Sequence, residues 1–406
     1  MRVEQVFITP LVSEGVYGDE IEVSDYVKLD GLSKVKNSID STDYSIGIFR
    51  FDDVTLKCQN GQGTFNENDS RSIFTYVRDR AKVKIQALKI DSETFVSEEK
   101  IQFEGLINDE MTRLNITNDE ITLKVYSKDS VFRTTRVPAG IIPAGSTAKT
   151  ALISILSQPA IGVVLNLDPA DINPELDFII DTPEALDNLE VKEALDLILI
   201  ASSSVLILED DDIIVRSRNR DTGTPLELRG RGEISNNANL ISLKNYNNGK
   251  QRQFNSIYLN DGAAVIEDTN SILESGVRQI KFDFPMIADS GTLQDVGQSI
   301  ADEFRYPKIE VMAEVPAVVA EDVKLLDLVS VDAPFLKKPA EGDFLPVYGV
   351  ATYGDAVTPY PLTFGSIEIT SNIKFKVISI EKDLKNFRTA LKLRQFGKNL
   401  NDGVFT

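Results

Sequence analysis

The chain has 406 residues, with 43 lysines and arginines against 63 aspartates and glutamates, a net charge of -20. It has no histidine, no tryptophan and a single cysteine, Cys58. Without histidine, Ser-His-Asp triads, Cys-His pairs and the usual zinc sites are excluded, and one cysteine excludes an internal disulfide.

A chain of this length accommodates about two to four domains, and its 42% hydrophobic content is enough for real cores. The acidity repels phosphates and anionic membranes, which argues against sequence-specific DNA binding. It fits simple solubility, or a surface that nucleic acid passes without sticking. The opening MRVEQVFITP has no apolar h-region, so no signal peptide is expected. The most apolar stretch, 195–208, is interrupted by Asp196 and Ser202 to Ser204 and is too short to span a bilayer. The expectation is a chain kept in a cytoplasm until it is assembled or released, with no membrane insertion.

Residues 1–140 read as β. Val54 to Cys58, Val83 to Ile85, Ile101 to Phe103 and Ile121 to Val125 alternate apolar and polar residues, and Asn/Gly/Asp-rich turns separate them. One buried and one wet face per strand fits a small antiparallel barrel or sandwich. Cys58 falls in phase with Val54 and Leu56, as a small core residue rather than a nucleophile.

The period changes after Pro143. Ala148, Ala151, Leu152, Ile155 and Leu156 make one helical stripe, with Ser146 as the expected cap. A second stripe, Val191 to Leu199, predicts a helix over 191–201. Strands at 205–208 and 213–215 then flank the acidic turn Glu209 to Asp212. Residues 141–235 thus read as a helix–helix–hairpin unit of α+β type.

From 236 to 406 the chain returns to β, with strands at 240–243, 256–259, 279–284 and 309–315, one helix near 291–306 stopped by Pro307, and a closing hairpin over 375–393. Residues 334–365 form a Pro/aromatic loop carrying Phe335, Phe344, Tyr348, Tyr353, Tyr360 and Phe364. A loop of this size is usually functional or interfacial, and these rings are the candidate partner interface; the competing reading is that they cover their own barrel.

No residue set announces chemistry. Glu209 to Asp212 lacks the ligand spacing and glycine of a calcium loop and reads as a solvated hairpin tip. Arg216, Arg218 and Arg220, followed by Arg229 and Arg231, read as a wet strand face or inter-subunit ion pairs rather than a polyanion site, since no aromatics interleave. Neither Gly61-Gln62-Gly63 nor Gly230-Arg231-Gly232 is a phosphate loop. No catalytic, cofactor-binding or metal-binding residue is expected, and no cofactor.

The order of elements resembles the tail hub, or baseplate hub, proteins of tailed bacteriophages. The resemblance rests on VKLDGLSKVKNSIDSTDYSIGIFRFDDVTLKCQNGQGTF (27–65), VKEALDLILIASSSVLILEDDDIIVRS (191–217), FNSIYL (254–259), RYPKIEVMAEVP (305–316), LLDLVSVDAP (325–334) and KFKVISIEKDLKNFRTALKLRQFGK (374–398). It covers most of the chain; 334–365 has no counterpart. It implies a mainly β fold with an α+β insertion, in which two small antiparallel, tube-like β-barrels (1–140 and 236–406) flank the helix–helix–hairpin domain (141–235).

The resemblance further implies a structural virion protein, not an enzyme: a homotrimeric tail-tip ring that joins the tail tube or a distal tail ring above to a tip or fibre protein below. Such a ring would line the channel for DNA ejection, and DNA would pass without specific binding. Localisation would be the virion tail tip, after assembly in the host cytoplasm. Two other readings stay open: a receptor- or glycan-binding tail-tip module, and a tail-associated cell-wall hydrolase acting through carboxylates.

Overall fold

The computed structural model describes residues 2–396 except 14, 33, 39–52, 67–69, 75–77, 91–96, 210, 219–224, 230–238, 248–252, 305–307, 333–373 and 384–385. In the first part of the chain, period-two alternation builds strands with one dry face. The strands are β1 (Arg2–Thr9), a small hairpin of β2 (Leu11–Ser13) and β3 (Val16–Tyr17), β4 (Ile21–Glu22), β5 (Val27–Leu32), β6 (Val35–Ser38), β7 (Asp53–Gln59), β8 (Lys82–Ile90), β9 (Ser97–Asn115) and β10 (Glu120–Ser127). Seven of them make a curled antiparallel sheet in the order β4-β1-β8-β9-β10-β7-β5. Val54, Leu56 and Cys58 of β7 lie opposite Val125, Leu123 and Ile121 of β10, and all six are buried in one core with Ile8, Phe65 and Ile85.

Where β9 crosses β10 the backbones approach closely, and Gly105 sits there. A Cβ built on it would lie 2.3 Å from the Tyr126 carbonyl oxygen. Backbone cannot yield as a flexible side chain does, so Gly105→Ala is expected to destabilise by about 1–3 kcal/mol. A thermal melt followed by circular dichroism would show it; an unchanged melting temperature would mean the strands are free to separate there.

The 3.6-residue period then takes over. The elements are α1 (Val131–Thr134), α2 (Ala148–Leu156), α3 (Pro159–Gly162), β11 (Asn166–Ile172), α4 (Val191–Ala201), β12 (Ser204–Glu209) and β13 (Asp212–Ser217). The predicted stripes of α2 and α4 are buried. The cap of α2 is Thr147, not Ser146. Thr147 has extended backbone angles and accepts from the Thr150 N–H at 3.2 Å, whereas the Ser146 hydroxyl donates to Pro143 O at 2.6 Å. The three strands pair in the order β11-β13-β12, with β11 parallel to β13.

The remaining elements are β14 (Leu226–Arg229), β15 (Ser242–Asn247), β16 (Ser256–Leu259), β17 (Ala264–Glu267), α5 (Thr269–Ser275), β18 (Gln279–Phe282), α6 (Ser290–Phe304), β19 (Glu310–Pro316), β20 (Leu328–Asp332), β21 (Lys374–Asp383) and β22 (Arg388–Gln395). A second curled sheet runs β14-β20-β21-β22-β19-β15, and β6 also pairs with β21. It is antiparallel except for β14 and β20, which run parallel because a long crossover separates them. The fold is mainly β with a helix-containing insertion.

Two features cross the expected boundaries at 140 and 236. Strand β6, from the N-terminal region, hydrogen-bonds to β21 near the other end of the chain while its Val35 side chain stays in the first core. The segment 256–304 does not join the second sheet. Its strands β16, β17 and β18 form a separate sheet, and Ile257, Leu259, Val296, Ile300 and Phe304 share one core with α2 and α4. Helix α6 carries its apolar stripe toward that sheet and packs there, not on the second curled sheet.

The apolar run at 195–208 is the end of α4 followed by strand β12. Leu206 points into the core of the helices, while Val205 and Ile207 point into the core of the second sheet. A strand buried on both faces reads as continuous hydrophobic sequence instead of alternating. The serines that interrupt the run are buried yet satisfied. Ser202 Oγ donates to Leu199 O, Ser204 Oγ donates to Ser202 O and accepts from the Glu175 N–H, and Ser203 pairs with Ser299.

Candidate functional site

The first sheet has a core of its own, and ion pairs and the β6–β21 backbone pairing join it to the rest. The short turn after β10 brings Lys128 to this junction. Its side chain is 6% exposed, and its ammonium contacts both Glu104 on β9 and Asp211 in the β12–β13 turn. The two carboxylates raise the Lys128 pKa against the opposing effect of burial. Lys34, just before β6, bonds Glu381 on β21 at 2.7 Å, next to the β6–β21 backbone pairing. Glu209 at the end of β12 accepts from Arg216 at 3.4 Å and from Lys324 at 2.7 Å, which ties the hairpin to the loop before β20.

The acidic run is therefore not just a solvated tip. Asp211 holds the junction through Lys128, Glu209 ties the hairpin to Lys324, Asp212 accepts from Asn166 at 3.2 Å, and Asp210 lies outside the described residues. Among the described residues, no group of three or more His, Cys, Asp or Glu side chains is placed to hold a metal ion.

The arginines separate into different environments. Arg216 pairs with Glu209, and Arg229 pairs with Glu227. Arg218 does not lie on a wet face: its guanidinium is buried, and Nη2 donates to Ile200 O at 3.2 Å. Burial pushes its pKa down to about 10, against the pull of Glu303 and Glu175. Arg220 and Arg231 lie outside the described residues. Close to Arg218 on the second sheet is a buried ion pair that no motif announced. Arg394 Nη2 sits 2.7 Å from Glu310, with side-chain exposures of 8% and 6%, and Lys392 reaches the same carboxylate at 3.4 Å.

Beside Lys128, Asp129 is buried with Ser127 donating to its carboxylate, and desolvation raises its pKa to about 7. Cys58 is fully buried and desolvation pushes its thiol up to about 12, so it packs as a core residue. The six aromatic residues proposed as a partner interface, Phe335, Phe344, Tyr348, Tyr353, Tyr360 and Phe364, lie outside the described residues.

No family model and no curated protein matches the sequence. Solved structures do match the fold. A tail protein from Neisseria meningitidis MC58 superposes with a TM-score of 0.57 at 12% identity, covering 97% of this chain and 96% of that one. The 43 kDa tail protein of prophage MuSo2 from Shewanella oneidensis gives 0.52 at 10% identity, over 96% and 97% of the two chains. Prophage tail protein gp18 from Listeria monocytogenes EGD-e gives 0.51 at 10%, over 96% and 94%. The chain has the fold of these tail proteins along nearly its whole length.

Proposed function

We propose that the chain is a structural protein of a phage-type tail tip, a hub whose copies close into a threefold ring. The observation that carries this reading is the end-to-end likeness to the Neisseria tail protein, which leaves little of either chain unmatched. In this reading the two curled seven-stranded sheets are the tube-like units, and six of them in a trimer surround a channel. The helix-containing unit with its β16–β18 layer lies beside them, and the Pro/aromatic loop 334–365 meets a neighbouring tail protein.

The ring would join the tail tube or distal ring above to a tip or fibre protein below, and DNA would leave through it without specific binding. The net charge of -20 supports this, because an acidic lumen repels phosphates and lets DNA slide. The mature location would be the virion tail, after assembly in the host cytoplasm.

Light scattering after size-exclusion chromatography tests the ring. The expected molar mass is three times 44.9 kDa, with ring-shaped particles in negative stain. A monomer at every concentration, alone and with the neighbouring tail proteins, would reject it.

A further inference from the structure

At one end of the first sheet the β9–β10 hairpin runs past its neighbour. Strand β8 pairs with β9 only as far as Leu106, so from there to Asn115 β9 is the outer strand among the described residues. A row of cross-strand pairs crosses this end: Leu114 on β9, Ile121 on β10, Cys58 on β7 and Val27 on β5. Paired residues share a face, so Leu114 lies on the dry side of the sheet. Ile121 and Cys58 are buried, but Leu114 is 48% exposed. The dry face therefore extends past its own cover. Met111 is 51% exposed and Ile116, in the turn, 85%. Single exposed apolar residues need no explanation; three within 111–116, where a dry face runs out of cover, do.

This edge is built against strand addition. Thr122 faces Arg113 and Lys124 faces Asn108, so Asp109 to Thr112 bulge out opposite Leu123. The Met111 N–H donates to Asn108 Oδ1 at 3.1 Å and Thr112 Oγ1 donates to Asn108 O at 3.1 Å, which fixes the bulge. A bulge breaks the ladder that an added strand needs. The other usual cover for a dry sheet face is a helix with an apolar stripe. Charge sets the flanks of that helix. Asp109 and Glu120 are already paired, with Arg78 and Lys28. Asp25, Glu110 and Asp119 at the same end make no ion pair among the described residues, and Arg113 alone opposes them. A second copy of the chain, with its net charge of -20, would meet this rim with like charge.

We propose that this end of the first sheet docks an amphipathic helix of another protein, whose apolar stripe covers Met111, Leu114 and Ile116 and whose flanking lysines or arginines face Asp25, Glu110 and Asp119. Burial of the three apolar side chains would supply the affinity, and the unpaired carboxylates would select a basic partner over an acidic one. The proposal is independent of the ring reading, since one chain carries the whole surface.

The test is titration of the purified full-length chain with a labelled leucine–lysine peptide of about five helical turns, with its leucines in one stripe. Controls are a peptide of the same composition shuffled to remove the stripe, and a leucine–glutamate peptide that keeps it. The expected result is saturable one-to-one binding, at least about tenfold weaker for both controls, with amide exchange slowed over 111–121. The double variant Leu114→Ser with Ile116→Ser should weaken binding about tenfold without moving the melting temperature, because both side chains are exposed. Leu273→Ser, at an exposed leucine outside this sheet, should leave binding unchanged. Five results would each overturn the proposal: no saturation; equal binding of the shuffled peptide, which means charge attraction only; equal binding by the double variant; protection elsewhere; or protection of 111–121 by rising protein concentration alone, which makes a second copy the occupant.

Discussion

Arg394→Met is expected to lower the stability of the chain by about 3–5 kcal/mol, the usual cost of removing one partner of a buried ion pair. Arg394 on β22 and Glu310 on β19 are direct cross-strand neighbours. Both side chains are under a tenth exposed, so water cannot take over the role of the missing guanidinium. Methionine keeps the apolar stem, so the loss reports the charge rather than a cavity. Lys392 is only partly buried and reaches Glu310 at a longer distance, so it compensates incompletely.

Urea unfolding would measure this, followed by circular dichroism or tyrosine emission because the chain has no tryptophan. The pair Arg394→Met with Glu310→Leu should lose much less than Arg394→Met alone, since no buried charge is then stranded. A single-variant loss below about 1 kcal/mol would place this pair among ordinary surface bridges.

Asp129→Asn is expected to stabilise the chain at pH 8, with a gain that shrinks on acidification. Burial raises the folded pKa of Asp129 to about 7, well above the unfolded value near 4. The ionised form is thus disfavoured in the folded state, and the cost is fully present above the folded pKa. It falls as the pH drops from about 7 toward 4 and is absent below. The span between those two values bounds the gain at about 4 kcal/mol at pH 8. The groups facing this carboxylate are Ser127, Arg133 of α1 and Lys192 of α4, and their attraction is smaller than the desolvation. Asp196, raised to about 6 by burial beside Lys192, adds a slope of the same sign. Denaturation at pH 8, 6 and 4 separates the outcomes. A variant that destabilises equally at all three would show that asparagine loses contacts instead of relieving a charge.

The short-range part of this fold is legible wherever one rule governs one element. Val54, Leu56 and Cys58 alternate because only one face of β7 is dry, and the stripes of α2 and α4 repeat because one side of each helix is buried. Legibility fails where two environments meet. Strand β12 serves two cores, so its apolar residues lose the alternation that marks a strand, though the flanking acidic turn still reveals its position. The cap of α2 reads one residue early because Ser146 and Thr147 carry the same hydroxyl chemistry, and only backbone angles decide between them.

Pairing across the chain is invisible in the sequence. Nothing in VKNS at 35–38 points to β21, and nothing in the spacing assigns α6 to the β16–β18 layer. The junction residues are hidden for a different reason. Lys128 and Arg394 are two among 43 basic residues, and what distinguishes them is burial, which a sequence does not carry.

The double burial of β12 has a consequence for how the molecule comes apart. A strand whose alternate side chains belong to two cores cannot leave one without emptying the other. The helix-containing unit and the second sheet should therefore melt as one cooperative block, although they are separate in sequence and in sheet order. The first sheet has its own core, and ionic contacts and a short strand add to its attachment, so it is free to open as a second block at lower denaturant. Native-state hydrogen exchange would then sort the amides of the described core into two sets of free energies, not three. This puts a line of weakness through Lys128 and β6, with the rest of the described chain as the stiffer block.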